Sequence, residues 1–196
     1  MLVLESRINM DRKYRVVEYV DVWTEAFKRE EKILRRIFGD EILEIHHVGS
    51  TSVHGLVGKP TLDVMIIVRD LSKVDPLNKK MEAVGYESIG AYVTSTSRLF
   101  VKNKDAERTH NIHVFQKGDL KAAETLDFRD YLRSHPEEAK AYGDLKKELA
   151  AQHPDDYFVY RKKKDSFLRE IHERMRKWND DKIASRPKSG RSDDLS

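Results

Sequence analysis

Residues 47–63 read His-Val-Gly-Ser-Thr-Ser-Val-His-Gly-Leu-Val-Gly-Lys-Pro-Thr-Leu-Asp, and this stretch determines the fold that the sequence predicts. Ile42 to Val48 has the pattern of a strand and leads into it, and the almost wholly apolar run Thr61 to Val68 follows. An apolar run of this length between turn residues is typical of a central strand that is covered on both faces. The sequence therefore predicts two strands joined by a bend rich in small, hydroxyl-bearing residues.

Asp63 is the exceptional residue of the second strand, because its neighbours Leu62 and Val64 to Ile66 are all apolar. An ionised carboxylate is costly there unless it is paired or bound to a metal. The bend supplies Gly49, which permits close backbone approach, and the hydroxyls of Ser50, Thr51 and Ser52. A helical turn starting there would favour a phosphate, and Lys59 adds a positive charge. From the residues alone two interpretations stay open: an anion or metal site, or an ordinary turn beside an Asp63 paired with Arg or Lys.

The rest of the chain predicts an α/β domain with a helical C-terminal third. Trp23, Phe27, Leu34 and Ile37 recur at helical spacing before Gly39. Further patterns predict a helical region at 70–84, strands at 88–93, 98–102 and 109–116, and helices at 120–132, from Pro136, and from about residue 157. We predict one domain at 14–178, an N-terminal extension at 1–13 and a disordered tail at 179–196. The run Arg161 to Lys164 is interpreted as a solvated helix face.

Composition excludes several classes of function. The 196 residues contain 37 Lys+Arg and 34 Asp+Glu, well mixed, for a net charge of +3, which does not indicate a polyanion-binding chain. Nucleic-acid binding is disfavoured further because no aromatic stacking platform accompanies the basic run. The lack of cysteine excludes disulfides, thiol catalysis and cysteine zinc sites, and agrees with a cytoplasmic location. Neither a signal peptide nor a membrane-spanning segment is expected.

Several longer motifs resemble the GrpB family, a branch of the nucleotidyltransferase-like superfamily. The segment 47–63 matches the hallmark of that family, and the resemblance extends from about Tyr14 to Met175. The other matching segments are Gly85-Tyr86-Glu87, Arg98, Phe100, Arg108-Thr109-His110, Ile112-His113-Val114, Phe128 to Arg133, His135-Pro136, Ala141-Tyr142 and Leu145-Lys146. The resemblance implies a mixed twisted sheet with flanking helices. The family has no agreed biochemical role, and related domains occur fused to dephospho-CoA kinase, which suggests nucleotide or coenzyme A metabolism.

In the superfamily pattern, a Gly-Ser pair is followed by two acids one residue apart on a strand. Two such acids share one face and hold Mg²⁺, but here Met65 stands in the second position, and a thioether is a poor ligand for Mg²⁺. Asn111 also stands where the family often has histidine. The sequence therefore leaves open whether the chain is a nucleotidyltransferase or a relative that binds without turnover.

Asp63 is the acid of the expected site. The expected phosphate-binding residues are Gly49, Ser50, Thr51, Ser52, Lys59 and Arg98. The expected ligands of a divalent metal are Asp63, His47 and His113. That ligand set suits Zn²⁺ or Mn²⁺ better than Mg²⁺, although the histidines can instead hydrogen-bond Asp63 and the bend. The expected ligand is a nucleotide or another phosphorylated small molecule. Three functions stay open: a transferase, a non-catalytic module for a nucleotide, a coenzyme A-like molecule or a metal, and an interaction protein whose helical third docks a partner or forms a homodimer.

Overall fold

The computed structural model describes residues 14–92, 94–105 and 107–184. The N-terminal extension predicted at 1–13 lies outside these residues, as does 185–196. Residues 179–184, predicted as the start of a disordered tail, are instead the end of the last helix, which runs to Ala184.

A single mixed sheet of five strands forms the centre of the described chain. The strands are β1 (Ile42–Val48), β2 (Leu62–Val68), β3 (Glu87–Gly90), β4 (Ser97–Lys104) and β5 (Glu107–Gln116), in the spatial order β1-β2-β5-β4-β3. The central pair, β2 and β5, is parallel, and every other neighbouring pair is antiparallel. The mixed α/β class predicted from the sequence is confirmed, with β2 lying between two strands.

Helix α1 (Val22–Phe38) covers one face of the sheet, which we call the α1 face. Leu34 and Phe38 pack there against the even-numbered residues of β2 and β5. Gly39 ends the helix with a φ of +57°, a conformation that favours glycine. The helix and its C-terminal stop agree with the spacing that predicted them.

The helical region predicted at 70–84 is broken up in the structure. Two 3₁₀ turns, Leu71–Lys73 and Asp75–Leu77, precede a short helix α2 (Asn78–Glu82). Pro76 explains the interruption, because proline lacks an N–H donor and disfavours helical backbone at the residue before it. Asp70 also accepts a hydrogen bond from the backbone N–H of Ser72, which begins a turn at this point.

Helices α3 (Leu120–Ser134), α4 (Pro136–Gln152) and α5 (Tyr157–Ala184) form the helical third. They share an apolar cluster, and α3 also packs on the opposite face of the sheet, here called the α3 face, through Ala122 and Leu126. Val53 and Leu56, from the bend after β1, are part of the helical cluster. The bend therefore lies where the sheet meets the helical third. No helix among the described residues is long and apolar enough to cross a membrane.

Candidate functional site

Gly49 brings the bend into contact with Asp63. Its φ is +70°, and a Cβ atom built on it would lie 2.4 Å from Oδ2 of Asp63. A side chain there would meet both left-handed backbone strain and a collision with the carboxylate. Glycine is therefore needed at this position, and Asp63 lies against the bend as the sequence predicted.

The rest of the bend is a 3₁₀ turn, Ser50–Ser52, rather than the start of a longer helix. Three residues are too few to provide the helix dipole that was expected to favour phosphate. Thr51 and Ser52 are buried, and their hydroxyls donate to the carbonyl oxygens of Thr61 (3.2 Å) and Gly49 (2.7 Å). Ser50 is only partly buried, so its hydroxyl is the one best placed to meet a ligand.

Asp63 lies at the beginning of β2 on the α3 face of the sheet. Its side chain is 26% exposed, and Oδ1 accepts a hydrogen bond from Nδ2 of Asn111 at 2.6 Å. Nε2 of His113, two residues further along β5, lies 4.0 Å from the same oxygen. Partial exposure, one neutral donor and one imidazole leave this carboxylate able to meet solvent or a ligand.

The structure does not bring His47 together with Asp63 and His113 as a three-ligand metal site. His47 pairs across the sheet with Val64, so its side chain lies on the α1 face. There its ring stacks on Phe27, with centroids 5.2 Å apart, and Nε2 lies 3.0 Å from the Thr51 hydroxyl. Burial lowers the pKa of His47 to about 4. Among the residues that the structure describes, no three His, Asp or Glu side chains are placed to hold one metal ion.

Arg98, expected on phosphate, is held on the α1 face by an acid. It pairs with Val114 in the sheet, and its guanidinium donates to both carboxylate oxygens of Asp75 at 2.7 and 2.9 Å. Because Asp63 lies on the opposite face, the structure does not place Arg98 with the other predicted site residues.

Lys59 links the segment before β2 to the last helix. Its Nζ donates to the hydroxyl of Tyr157 at 2.6 Å and lies 4.4 Å from the centre of that ring. The predicted phosphate-binding residue thus lies between the bend and α5.

Lys146 of α4 is a site residue that the sequence analysis did not identify. It is 2% exposed, and its Nζ donates to Oγ of Ser50 at 2.9 Å and to the carbonyl oxygen of Val57. The ring of Tyr142 lies 4.4 Å from Nζ. Burial holds the pKa of Lys146 well below its usual range, and repulsion from Lys164 and Lys59 lowers it further. No carboxylate among the described residues lies within ion-pair distance of this amine.

Lys164 of α5 joins the same group. It belongs to the run interpreted as a solvated helix face, and Lys162 and Lys163 are indeed exposed, whereas Lys164 is partly buried. Burial lowers the pKa of Lys164, and Tyr157, Asp165 and, more weakly, Asp63 act in the opposite direction. Lys59 and Lys164 both lie close enough to Lys146 to lower its pKa, and Lys146 contacts Ser50. We call these three lysines, with Ser50 and Asp63, the lysine corner.

A pattern in the sequence could have identified Lys146. The buried residues of α4 recur at helical spacing. Lys146 occupies one of these positions, at which an apolar residue is expected. The buried residues are Ala139, Tyr142, Gly143, Lys146 and Leu149. A charged residue on the buried stripe of a helix indicates a site in the same way that Asp63 does on its strand.

The sequence profile of the family described as GrpB protein matches residues 13–174. The chain belongs to the GrpB family. UPF0157 protein YqkA of Bacillus subtilis (strain 168) is 40% identical over 167 residues, which are 85% of this chain and 48% of YqkA. The chain thus spans about half the length of that relative. A crystal structure of GrpB from Enterococcus faecalis is 38% identical and has a TM-score of 0.79, covering 84% of this chain and 99% of the other.

A dephospho-CoA kinase of Mycobacterium bovis is also similar to this GrpB-family chain. It is 23% identical over 190 residues, which are 85% of this chain and 47% of the kinase. The similarity therefore covers less than half of that protein, in agreement with the resemblance to a domain fused to such kinases.

Proposed function

We propose that this GrpB-family protein binds a nucleotide, or a related phosphorylated small molecule, at the lysine corner, and that it transfers the nucleotidyl group. The observation that carries the proposal is the contact of the buried Lys146 amine with Ser50, with Lys59 and Lys164 close enough to repel that amine and the partly exposed carboxylate of Asp63 close enough to act on Lys164.

Electrostatics favours an anionic ligand. Lys59 and Lys164 both repel Lys146, so the charged form of this buried amine is disfavoured. A phosphate group between Lys59 and Lys164 would remove this repulsion and form charge-assisted hydrogen bonds. The partly exposed Ser50 hydroxyl would supply one more donor.

A divalent cation fits this proposal only as a partner of the nucleotide. Asp63 lies on the α3 face of the sheet, Met65 in the same strand is fully buried, and the imidazole of His113 lies 4.0 Å from the carboxylate of Asp63. Mg²⁺ is commonly held by one or two carboxylates together with substrate phosphates, and Mn²⁺ or Zn²⁺ would also accept the imidazole. Such a cation, held by Asp63 with His113, would neutralise phosphate charge.

The choice of candidate ligands follows from the site and from the relatives. ATP and CTP test for a nucleoside triphosphate, and dephospho-CoA tests for a coenzyme A-like molecule, as the similarity to a dephospho-CoA kinase suggests. Each should be assayed by thermal melting with and without Mg²⁺ or Mn²⁺, because a ligand of the folded state raises the melting temperature.

The decisive variant is Lys164→Met, and Lys162→Met is its matched control. Both remove a lysine from α5, but Lys162 is exposed to solvent whereas Lys164 lies in the lysine corner. We expect Lys164→Met to weaken ligand binding about 10-fold or more, the value of one charge-assisted contact, and Lys162→Met to leave it unchanged. Absence of a melting shift with every ligand, or equal losses in the two variants, would contradict the proposal.

A further inference from the structure

Ser50 and Lys146 form a pair whose chemistry goes beyond ligand binding. The two residues are 96 positions apart in sequence, and Oγ and Nζ are 2.9 Å apart. Gly58 closes over this contact, since a Cβ atom built on it would lie 3.0 Å from Oγ and 3.6 Å from Nζ. The fold therefore holds a serine hydroxyl against a buried amine and leaves the serine partly exposed.

The surroundings of Lys146 favour the neutral amine. Its two hydrogen-bonding neighbours are uncharged oxygens, from Ser50 and Val57, and it is 2% exposed. The titratable groups that face it are Tyr142, whose ring is 4.4 Å away, and Lys59 and Lys164, which both disfavour the ammonium. A neutral amine can donate one N–H to the Val57 carbonyl and accept the Ser50 hydroxyl proton at its lone pair.

We propose that Ser50 is a nucleophile and that Lys146 is its general base, so that the protein carries the transferred nucleotidyl group on its own serine. This inference rests on the proposed function, because it requires a nucleotide at the lysine corner. An adjacent base is the usual means by which a serine hydroxyl becomes nucleophilic, and a buried lysine can act as that base.

Oγ of Ser50 forms a bond to the α-phosphorus of a nucleoside triphosphate, the bond from that phosphorus to the bridging oxygen breaks, and pyrophosphate leaves. The hydroxyl proton passes to Nζ of Lys146, which becomes an ammonium beside the new phosphodiester. Lys59 and Lys164 face the departing negative charge. The product is a nucleotidyl-serine from which an acceptor could take the group.

The first experiment tests the nucleophile without a nucleotide. Diisopropyl fluorophosphate should form one adduct at Ser50, with fluoride leaving and the proton passing to Lys146. The rate should rise with pH and level off once Lys146 is fully neutral. Mass spectrometry of the full-length protein and its peptides gives both the site and the rate.

Variants of Lys146 identify the base. Lys146→Met should slow labelling by about 100-fold or more, the usual contribution of general base catalysis, and should remove its pH dependence. Lys146→Arg should behave in the same way because a guanidinium stays protonated. Lys147→Met, one residue along α4 and paired with Glu18, is the matched control and should react like the wild type. Circular dichroism shows which variants are folded. Labelling of folded Lys146→Met at the wild-type rate, or no adduct at Ser50, would overturn the inference.

The second experiment uses ATP and CTP labelled at the α-phosphate, in the presence of Mg²⁺. We expect radioactivity to remain on the denatured wild-type chain, to map to Ser50, and to disappear in Ser50→Ala. Binding by the wild type with no covalent label would overturn self-nucleotidylation and leave the proposed function in place. No binding at all would overturn both.

Discussion

Two buried clusters of titratable side chains differ in how their charges are balanced. One lies on the α1 face of the sheet, where Glu30 is 6% exposed and accepts a hydrogen bond from the Tyr86 hydroxyl at 2.8 Å. The side-chain nitrogens of Lys102 and His110 each lie 3.8 Å from its oxygens. The other lies where the bend meets α4, and there Lys146 is 2% exposed and has two uncharged oxygen neighbours.

The difference distinguishes a structural cluster from a candidate site. The Glu30 cluster contains an acid, bases and a hydroxyl, so its charge is compensated within the fold. In the lysine corner a buried amine is repelled by two further lysines, which is costly unless that amine loses its proton or an anion binds. Both clusters are buried and polar, and the balance of charge rather than burial marks the second as a candidate site.

Removing the central titratable side chain should destabilise the protein when that residue is Glu30 but not when it is Lys146. This difference in the free energy of unfolding is the largest effect that we expect. Glu30→Ala leaves Lys102 and His110 without their acid and should lower the free energy of unfolding by about 4 kcal/mol. Lys146→Met replaces a poorly compensated amine by an apolar chain of similar length, so stability should stay within about 1 kcal/mol of the wild type or increase.

Urea unfolding at neutral pH measures both variants, and Glu25→Ala serves as the control. Glu25 is an exposed acid on the same helix as Glu30, paired only with Lys28 at 2.8 Å in the described structure, and its loss should cost less than about 0.5 kcal/mol. If Lys146→Met were as destabilising as Glu30→Ala, Lys146 would have to be a charged and well-compensated group, and the contrast between the clusters would disappear.

Gly49 and Gly55 offer a sharper test of how the lysine corner is built. Both have a positive φ, +70° and +73°, but a Cβ atom at Gly55 would meet nothing within 4 Å, whereas one at Gly49 would collide with Asp63. Gly55→Ala should cost about 1 kcal/mol of stability from backbone strain alone. Gly49→Ala should cost about 3 kcal/mol, because overpacking against the carboxylate adds to the strain.

Thermal and urea unfolding compare these two variants, and nucleotide binding is the second measurement. We expect Gly55→Ala to bind like the wild type and Gly49→Ala to bind more weakly, since the collision must displace Asp63 or the bend. Equal costs in the two variants would show that the carboxylate moves away freely, and the close approach would then have no structural importance.

His47 contacts the bend from the α1 face, and its effect on stability should be smaller than those of Glu30→Ala and Gly49→Ala. Its pKa is lowered by burial to about 4, from an ordinary value near 6.5, so the folded state binds fewer protons than the unfolded state between these values. The contribution of neutral His47 to stability should therefore be fully present above about pH 6.5. The free energy of unfolding should fall by about 2 kcal/mol as the pH drops from there toward 4. His47→Gln should reduce this acid sensitivity, and His46→Gln, a surface neighbour bonded to Glu44, should not.

The α/β fold could be predicted from the sequence because the spacing of apolar residues indicates which face of a helix or strand is buried. In β5 the apolar residues Ile112 and Val114 alternate with Asn111 and His113, and the two sets lie on opposite faces of the sheet. The prediction of a helical region across 70–84 was wrong in its middle, because Pro76 lacks an N–H donor and interrupts the helix. The profile and the relatives confirm the GrpB family.

The site was harder to predict because it depends on contacts between distant segments. Asp63 and the bend are close in sequence, and the sequence predicted that they lie side by side. Lys146 meets Ser50, and Lys164 comes near Lys146, only through the packing of α4 and α5, which no local pattern specifies. Arg98 and His47 were assigned to the site by residue type, but strand register places both on the α1 face. The homodimer and the cytoplasmic location stay predictions.

The long separation between Ser50 and Lys146 has a consequence for synthesis of the protein on the ribosome. All five strands lie before residue 117, so the nascent chain can emerge with the complete sheet sequence before α4 has been translated. The amine that contacts Ser50 arrives later, and the hydroxyl that accepts from Lys59 belongs to Tyr157, later still. A chain released before residue 146 would thus carry the bend and the acid without the amine of the proposed pair.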